Sequence, residues 1–164
     1  MRKYDFGHGG QQEWRVRMKN MVAVEMKRYN YLISEIDAAY HEAANRLGLS
    51  DSALIILYAL YSSGGECLLS DICRLSGVSK QTIHSGLRKL TDGEIVELAV
   101  FQGKKKKVYL TEKGMAAAED TVGRLIALEN GIFDSWSGEE REQYLGLMQK
   151  YLDAFREGVR RLER

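Results

Sequence analysis

The stretch LLSDICRLSGVSKQTIHSGLRKLTDGEIVELAVFQGKKKKVYLTEKG, from Leu68 to Gly114, decides the fold. It reads as two short helices, an amphipathic β-hairpin with a lysine-rich tip, and the start of another helix. Ser70 is an N-cap residue type set just before Ile72, Cys73 and Leu75, a spacing that gives a short helix one buried side. Gly77 ends that helix, because a tight inter-helix turn needs a positive φ, where a Cβ is strained. Ser79 caps the next helix, in which Ile83, Leu87 and Leu90 recur as an inward stripe. The opposite face carries Gln81, Ser85 and Arg88, with Thr82, His84 and Lys89 beside them and Lys80 at the N-terminal edge. No acidic side chain interrupts that face.

Such a surface has the chemistry of a major-groove reader. Gln pairs bidentately with adenine and Arg with guanine, Ser and Thr suit either, and a helix N-terminus favours phosphate. Alone, a polar helix face is ordinarily a solvated one, so the hairpin beside it matters. Ile95, Glu97 and Ala99 alternate with Val96, Leu98 and Val100, and Val108 and Leu110 carry the return strand. Between them lie Gln102, Gly103 and the run Lys104, Lys105, Lys106 and Lys107. Beside a helix in the major groove, this tip would reach flanking phosphates or the adjacent minor groove and add salt-dependent affinity.

These residues resemble the MarR family of winged helix-turn-helix transcription regulators. The resemblance covers most of the chain: a long first helix, the LGLS lead into a second helix at Leu47–Ser50, LSDICRLSGVSKQTIHSGLRKL, DGEIVEL, LTEKG and two C-terminal helices. It implies a mainly α fold with a small β-hairpin wing and flanking N- and C-terminal dimerisation helices. On that basis residues 1–164 form one domain, with 51–114 the DNA-binding region and 11–47 and 115–164 mainly dimerisation helices. Matched positions place Lys80, Gln81, Thr82, Ser85, Arg88 and Lys89 on the recognition helix. The family wing commonly carries an Asp and Arg pattern, with arginine entering the minor groove; FQGKKKKV has neither residue at its tip. Lysine lacks the planar fork of arginine, so this wing is expected to anchor more than to read. Relatives often have a basic and then an apolar residue where Ser85-Gly86 stands; Gly86 either permits a close backbone approach or is merely tolerated.

The flanking segments read as helices with apolar stripes. With no proline in 164 residues, nothing breaks long helices by the usual route. From about Gln11 to Leu47 the positions Trp14, Met18, Met21, Met26, Tyr29, Leu32, Ile33, Ile36 and Tyr40 recur at helical spacing, and Gly48 stops the run. A second helix spans Asp51 to Ser62. Thr111 caps a post-wing helix running through Val122, Leu125, Ile126 and Ile132 towards Trp136. Ser137 with Glu140 is a capping-box pair for the last helix, whose stripe is Tyr144, Leu147, Met148, Tyr151, Leu152, Phe155, Val159 and Leu162. Packing within one chain would satisfy such a stripe. The resemblance instead implies helices interlocked across a two-fold axis, with Trp14, Met18, Met21, Tyr144, Leu147, Tyr151, Leu152, Phe155 and Val159 at a homodimer interface. Two recognition helices would then meet a pseudo-palindromic operator in double-stranded DNA, its half-sites about 10 bp apart.

Other chemistry is sparse. Net charge is +1, with 45% hydrophobic and 29% charged residues, so any basic character is local, at Lys104–Lys107. No apolar run is long enough to cross a membrane and no signal pattern is evident, which favours a cytoplasmic protein. Cys67 and Cys73 lack metal-ligand spacing and read as buried or partly buried free thiols, with Cys73 at a small buried position. His8, His41 and His84 are scattered, so no metal site and no cofactor is expected. There is no G-x-S-x-G, phosphate-binding glycine loop or paired catalytic constellation, which argues against an enzyme. The resemblance also implies release by a small amphipathic ligand, with Tyr29, Tyr40 and Tyr58 as candidate pocket aromatics. The competing reading is a winged-helix module for protein or RNA contact, since the fold alone does not fix a partner.

Overall fold

A computed structural model describes the backbone of residues 8–162 and the side chains of residues 21–162. The chain divides into two compact units, residues 1–51 and 52–164. In the first, α1 (His8–Arg46) runs uninterrupted. Its end is a glycine-centred cap: Gly48 takes φ 70° and the Leu49 N–H donates to the Ala44 carbonyl at 2.9 Å. Just beyond, His41 Nδ1 bonds the Asp51 carboxylate at 2.8 Å, while Asn45 Nδ2 lies 3.1 Å from His41 Nε2. The described apolar side chains Met21, Leu32 and Ile36 stay exposed on α1. Trp14 and Met18, expected at a dimer interface, lie outside the described side chains.

The second unit builds its core around α2 (Asp51–Ser62), whose Ile56, Leu57 and Leu60 are fully buried. Each later element adds an apolar residue to that centre: Ile72 from α3 (Leu69–Leu75), Ile83 and Leu87 from α4 (Lys80–Asp92), Val96 from β2 (Val96–Phe101) and Val108 from β3 (Lys105–Leu110). A third strand, β1 (Glu66–Leu68), pairs antiparallel with β3, so the sheet order is β1-β3-β2. The sequence reading had no place for this strand, which is only three residues long and precedes α3 without a loop. That directness also overturns Ser70 as an N-cap. The cap position falls on Leu68, still in the sheet, so Ser70 is already inside the helix and no side chain caps it.

The other caps form as their residue types predict. Ser79 accepts from the Thr82 N–H, Thr111 from the Gly114 N–H, and Ser137 with Glu140 completes a reciprocal capping box. The helix after Thr111 is not regular throughout. It comprises α5 (Glu112–Ala118), a π-helical turn at Glu119–Gly123 and α6 (Arg124–Asp134), and Thr121 Oγ1 donates to the Ala117 carbonyl beside the widened turn. α7 (Gly138–Arg160) follows and has no buried residue. Cys73 is only partly covered, because Ile72 takes the interior position in α3; Cys67 is buried, and burial pushes its thiol pKa up.

Two contacts fix this unit tightly. A Cβ built on Gly86 would lie 2.9 Å from both Ile56 Cδ1 and Ser52 Oγ, so α4 lies against α2 more closely than any larger residue allows. Tyr58 donates to the Glu129 carboxylate at 2.5 Å, tying α2 to α6. Burial first, and then the Glu129 acceptor and its charge, push the Tyr58 pKa up to about 12.

Gly86→Ala should therefore lower stability in urea unfolding by about 1–2 kcal/mol, the overpacking outweighing alanine's better helix propensity. Because the Tyr58 pKa is raised on folding, its contribution is complete below pH 10 and is lost as pH rises towards 12. Tyr58→Phe should lose about 1.5 kcal/mol at neutral pH and show a shallower alkaline decline than wild type in pH-dependent denaturation.

Candidate nucleic-acid interface

Burial of one side of α4 dictates what the other side presents. Ile83, Gly86, Leu87 and Leu90 are buried, while Lys80, Gln81, Thr82, His84, Ser85, Arg88 and Lys89 are all exposed. Ser79 is exposed too, but its hydroxyl is engaged at the helix start, 3.1 Å from the Thr82 nitrogen and 2.8 Å from Thr82 Oγ1. These bonds order the N-terminus. The first helical N–H groups, those of Lys80 and Gln81, remain directed out of the helix, where a phosphate oxygen is a favourable acceptor. Among the described residues no carboxylate pairs with Lys80, Arg88 or Lys89. The turn ahead of α4 carries Gly77 at φ 65°, as its position between the two helices requires.

The hairpin differs in detail from its sequence reading. Its turn is Gln102-Gly103-Lys104, with Gln102 at φ 40°, and Lys105, Lys106 and Lys107 already belong to β3, facing Phe101, Val100 and Ala99. Successive lysines therefore project to opposite faces of the ribbon. Val100, opposite Lys106, is 76% exposed, so the outer half of the hairpin extends past the core. Gln102, Lys104, Lys105 and Lys106 are exposed and carry no ion pair among the described residues.

Lys107 stands apart from the other three. Its side chain is only 18% exposed and pairs with Glu66 of β1, and its Nζ lies 5.1 Å from the centre of the Phe101 ring and 5.4 Å from that of Tyr109. The Glu66 hydrogen bond raises its pKa. Sequence reasoning missed this arrangement because Glu66 is distant in the chain and belongs to the unrecognised strand.

Elsewhere, the apolar residues of α7 lie open. Tyr144, Leu147, Tyr151, Leu152, Phe155 and Val159 are all exposed, as is Met21 on α1. Tyr151 and Phe155 stack with ring centres 5.8 Å apart. Among the described residues no group of His, Cys, Asp or Glu is arranged to hold a metal ion, and no helix is long and apolar enough to cross a membrane.

Residues 47–106, spanning the helix-turn-helix and most of the hairpin, match the model of the MarR family. In that segment the chain is similar to the MarR family. MarR proteins are transcription regulators rather than enzymes. Solved MarR structures share its fold: a regulator from Neisseria meningitidis, NMB1585, superimposes with a TM-score of 0.73 at 15% identity, covering 82% of this chain and 96% of that one. MepR of Staphylococcus aureus in its DNA-binding conformation gives 0.67 at 21% identity, over 77% of this chain and 98% of that one. BpsR of Bordetella bronchiseptica, whose DNA binding is regulated by 6-hydroxynicotinic acid, gives 0.58 at 18% identity, over 76% and 98%. No curated protein sequence matches.

Proposed function

We propose that this chain is a MarR-family regulator, a sequence-specific DNA-binding repressor that works as a cytoplasmic homodimer and is released from its operator by a small amphipathic ligand. The observation that carries the DNA reading is the face of α4: exposed donors and acceptors, three cations and no acid from Lys80 to Thr91, backed by a rigidly buried opposite side. Gln81, Thr82, Ser85 and Arg88 have the groups that discriminate base edges, whereas Lys80, Lys89 and the helix N-terminus suit phosphate. The wing lysines Lys104, Lys105 and Lys106 add charge without a fork for guanine, so they anchor and do not read.

Dimerisation is supported by the run of exposed aromatic and aliphatic residues along α7, which a second copy would cover. Repression follows from occupancy, since a dimer seated on a promoter excludes polymerase. Ligand control is supported by analogy with BpsR, whose DNA binding responds to 6-hydroxynicotinic acid. A ligand acting here must bind one spacing of the two recognition helices better than another, because only differential affinity shifts such an equilibrium.

Selection from a random duplex library should enrich an inverted repeat with half-sites about 10 bp apart; enrichment of no motif, alongside tight binding to a protein, would sink the DNA reading. Arg88→Ala should cost about 1–3 kcal/mol on the selected site and relax preference at one position of each half-site. Lys105→Ala with Lys106→Ala should weaken all duplexes alike and make the log-log salt dependence shallower by about 2 per wing. Leu152→Arg should convert the dimer to monomer in sedimentation and abolish high-affinity operator binding; a wild-type monomer would contradict the assembly.

A further inference from the structure

The four consecutive lysines of the hairpin occupy two different environments. Lys104, Lys105 and Lys106 are exposed and without an ion pair among the described residues, whereas Lys107 is drawn back over the sheet to Glu66 and lies near two aromatic rings. The pairing register explains why. Lys107 faces Leu68 of β1 on one side and Ala99 of β2 on the other, so it is the last of the lysines to have a strand on both sides. Lys105 and Lys106 extend beyond the end of β1 and pair with β2 alone. Lys107 therefore sits at the root of the projecting ribbon, where β1 stops bracing it. On this face Ala99 is directly opposite Lys107, and the Phe101–Lys105 pair lies between it and the turn.

We infer that Lys107 is a positioning residue, which fixes the direction of the wing by tying β3 to Glu66 of β1, and that of the four wing lysines only Lys104, Lys105 and Lys106 meet phosphate. This rests on the DNA reading above and sharpens it. A lysine held in a charge-assisted bond, with its ammonium over the Phe101 and Tyr109 rings, has little freedom to reach for a phosphate. To do so it would have to leave Glu66 unpaired beside the DNA, placing a carboxylate near the phosphates. The pair instead keeps Glu66 neutralised and the two-stranded ribbon aligned at the point where it loses its third strand. Loss of the pin should loosen the wing without changing the number of phosphates it neutralises.

The test separates the two roles by salt. Operator duplex selected from the random library is titrated with wild type, Lys106→Ala, Lys107→Met, Glu66→Gln and the reversed pair Glu66→Lys with Lys107→Glu, across a range of salt concentrations. Lys106→Ala should make the log-log slope shallower by about 1 per wing. Lys107→Met and Glu66→Gln should each weaken binding by about fivefold with the slope unchanged, as loosening a supporting contact does, and the reversed pair should regain most of the loss. A slope change in Lys107→Met equal to that in Lys106→Ala, or unchanged or tighter binding by Glu66→Gln, would overturn the assignment. Amide hydrogen exchange on the free protein reads the pin without DNA: Glu66→Gln should speed exchange along Lys105–Tyr109, and unchanged exchange would refute the tie. Should wild type select no duplex, the function reading fails while the exchange result still decides the role of Lys107.

Discussion

The closeness of α4 to α2 is the constraint on which the rest depends. With glycine at position 86, Ile83 and Leu87 reach the same interior as Ile56, Leu57 and Leu60, and the helix cannot roll without opening that core. A helix locked in rotation presents one fixed set of side chains outward. Gln81, Ser85 and Arg88 are thus held in register by apolar packing on the far side of the same helix. Glycine's lower helix propensity is offset by rigidity in the surface opposite.

The same division of labour recurs in the hairpin. Its inner half, with Val96 and Val108, is part of the core; its outer half, from Val100 to Lys106, is extended past it. The electrostatic character of the two halves also differs. Lys107 at the boundary is satisfied within the fold, and the cations beyond it are exposed and carry no ion pair among the described residues. A single run of identical residues thereby changes its physical role over one turn and three strand positions, decided by where the neighbouring strand ends.

Much of this was legible in the sequence because it rests on local rules. The stripe Ile83, Leu87 and Leu90, the caps at Ser79, Thr111 and Ser137, and the turn at Gly77 each follow from spacing or from one residue's conformational preference, and each is found in the fold. What escaped depends on partners distant in sequence. β1 is three residues without a turn signal of its own, so nothing local separates it from α3; once unseen, it carried with it the misplacement of Ser70 as a cap and the grouping of Lys107 with the tip. The π-helical turn likewise has no periodic signature, since Val122 and Leu125 suit a regular helix equally well. For Gly86, local reasoning supplied two options, and only the positions of Ile56 and Ser52 choose between them.

The projecting half of the ribbon has a consequence for the protein when it is alone. β2 forms one edge of the sheet, and beyond the end of β1 the β3 side is an edge as well. The β2 edge there carries the apolar sequence Val100-Phe101, a segment suited to adding strands from other molecules. The lysines on the return strand impose mutual repulsion on any such stacking, so the charge at the tip also protects colloidal solubility, a selective reason for lysine at these positions that operates before any partner is met.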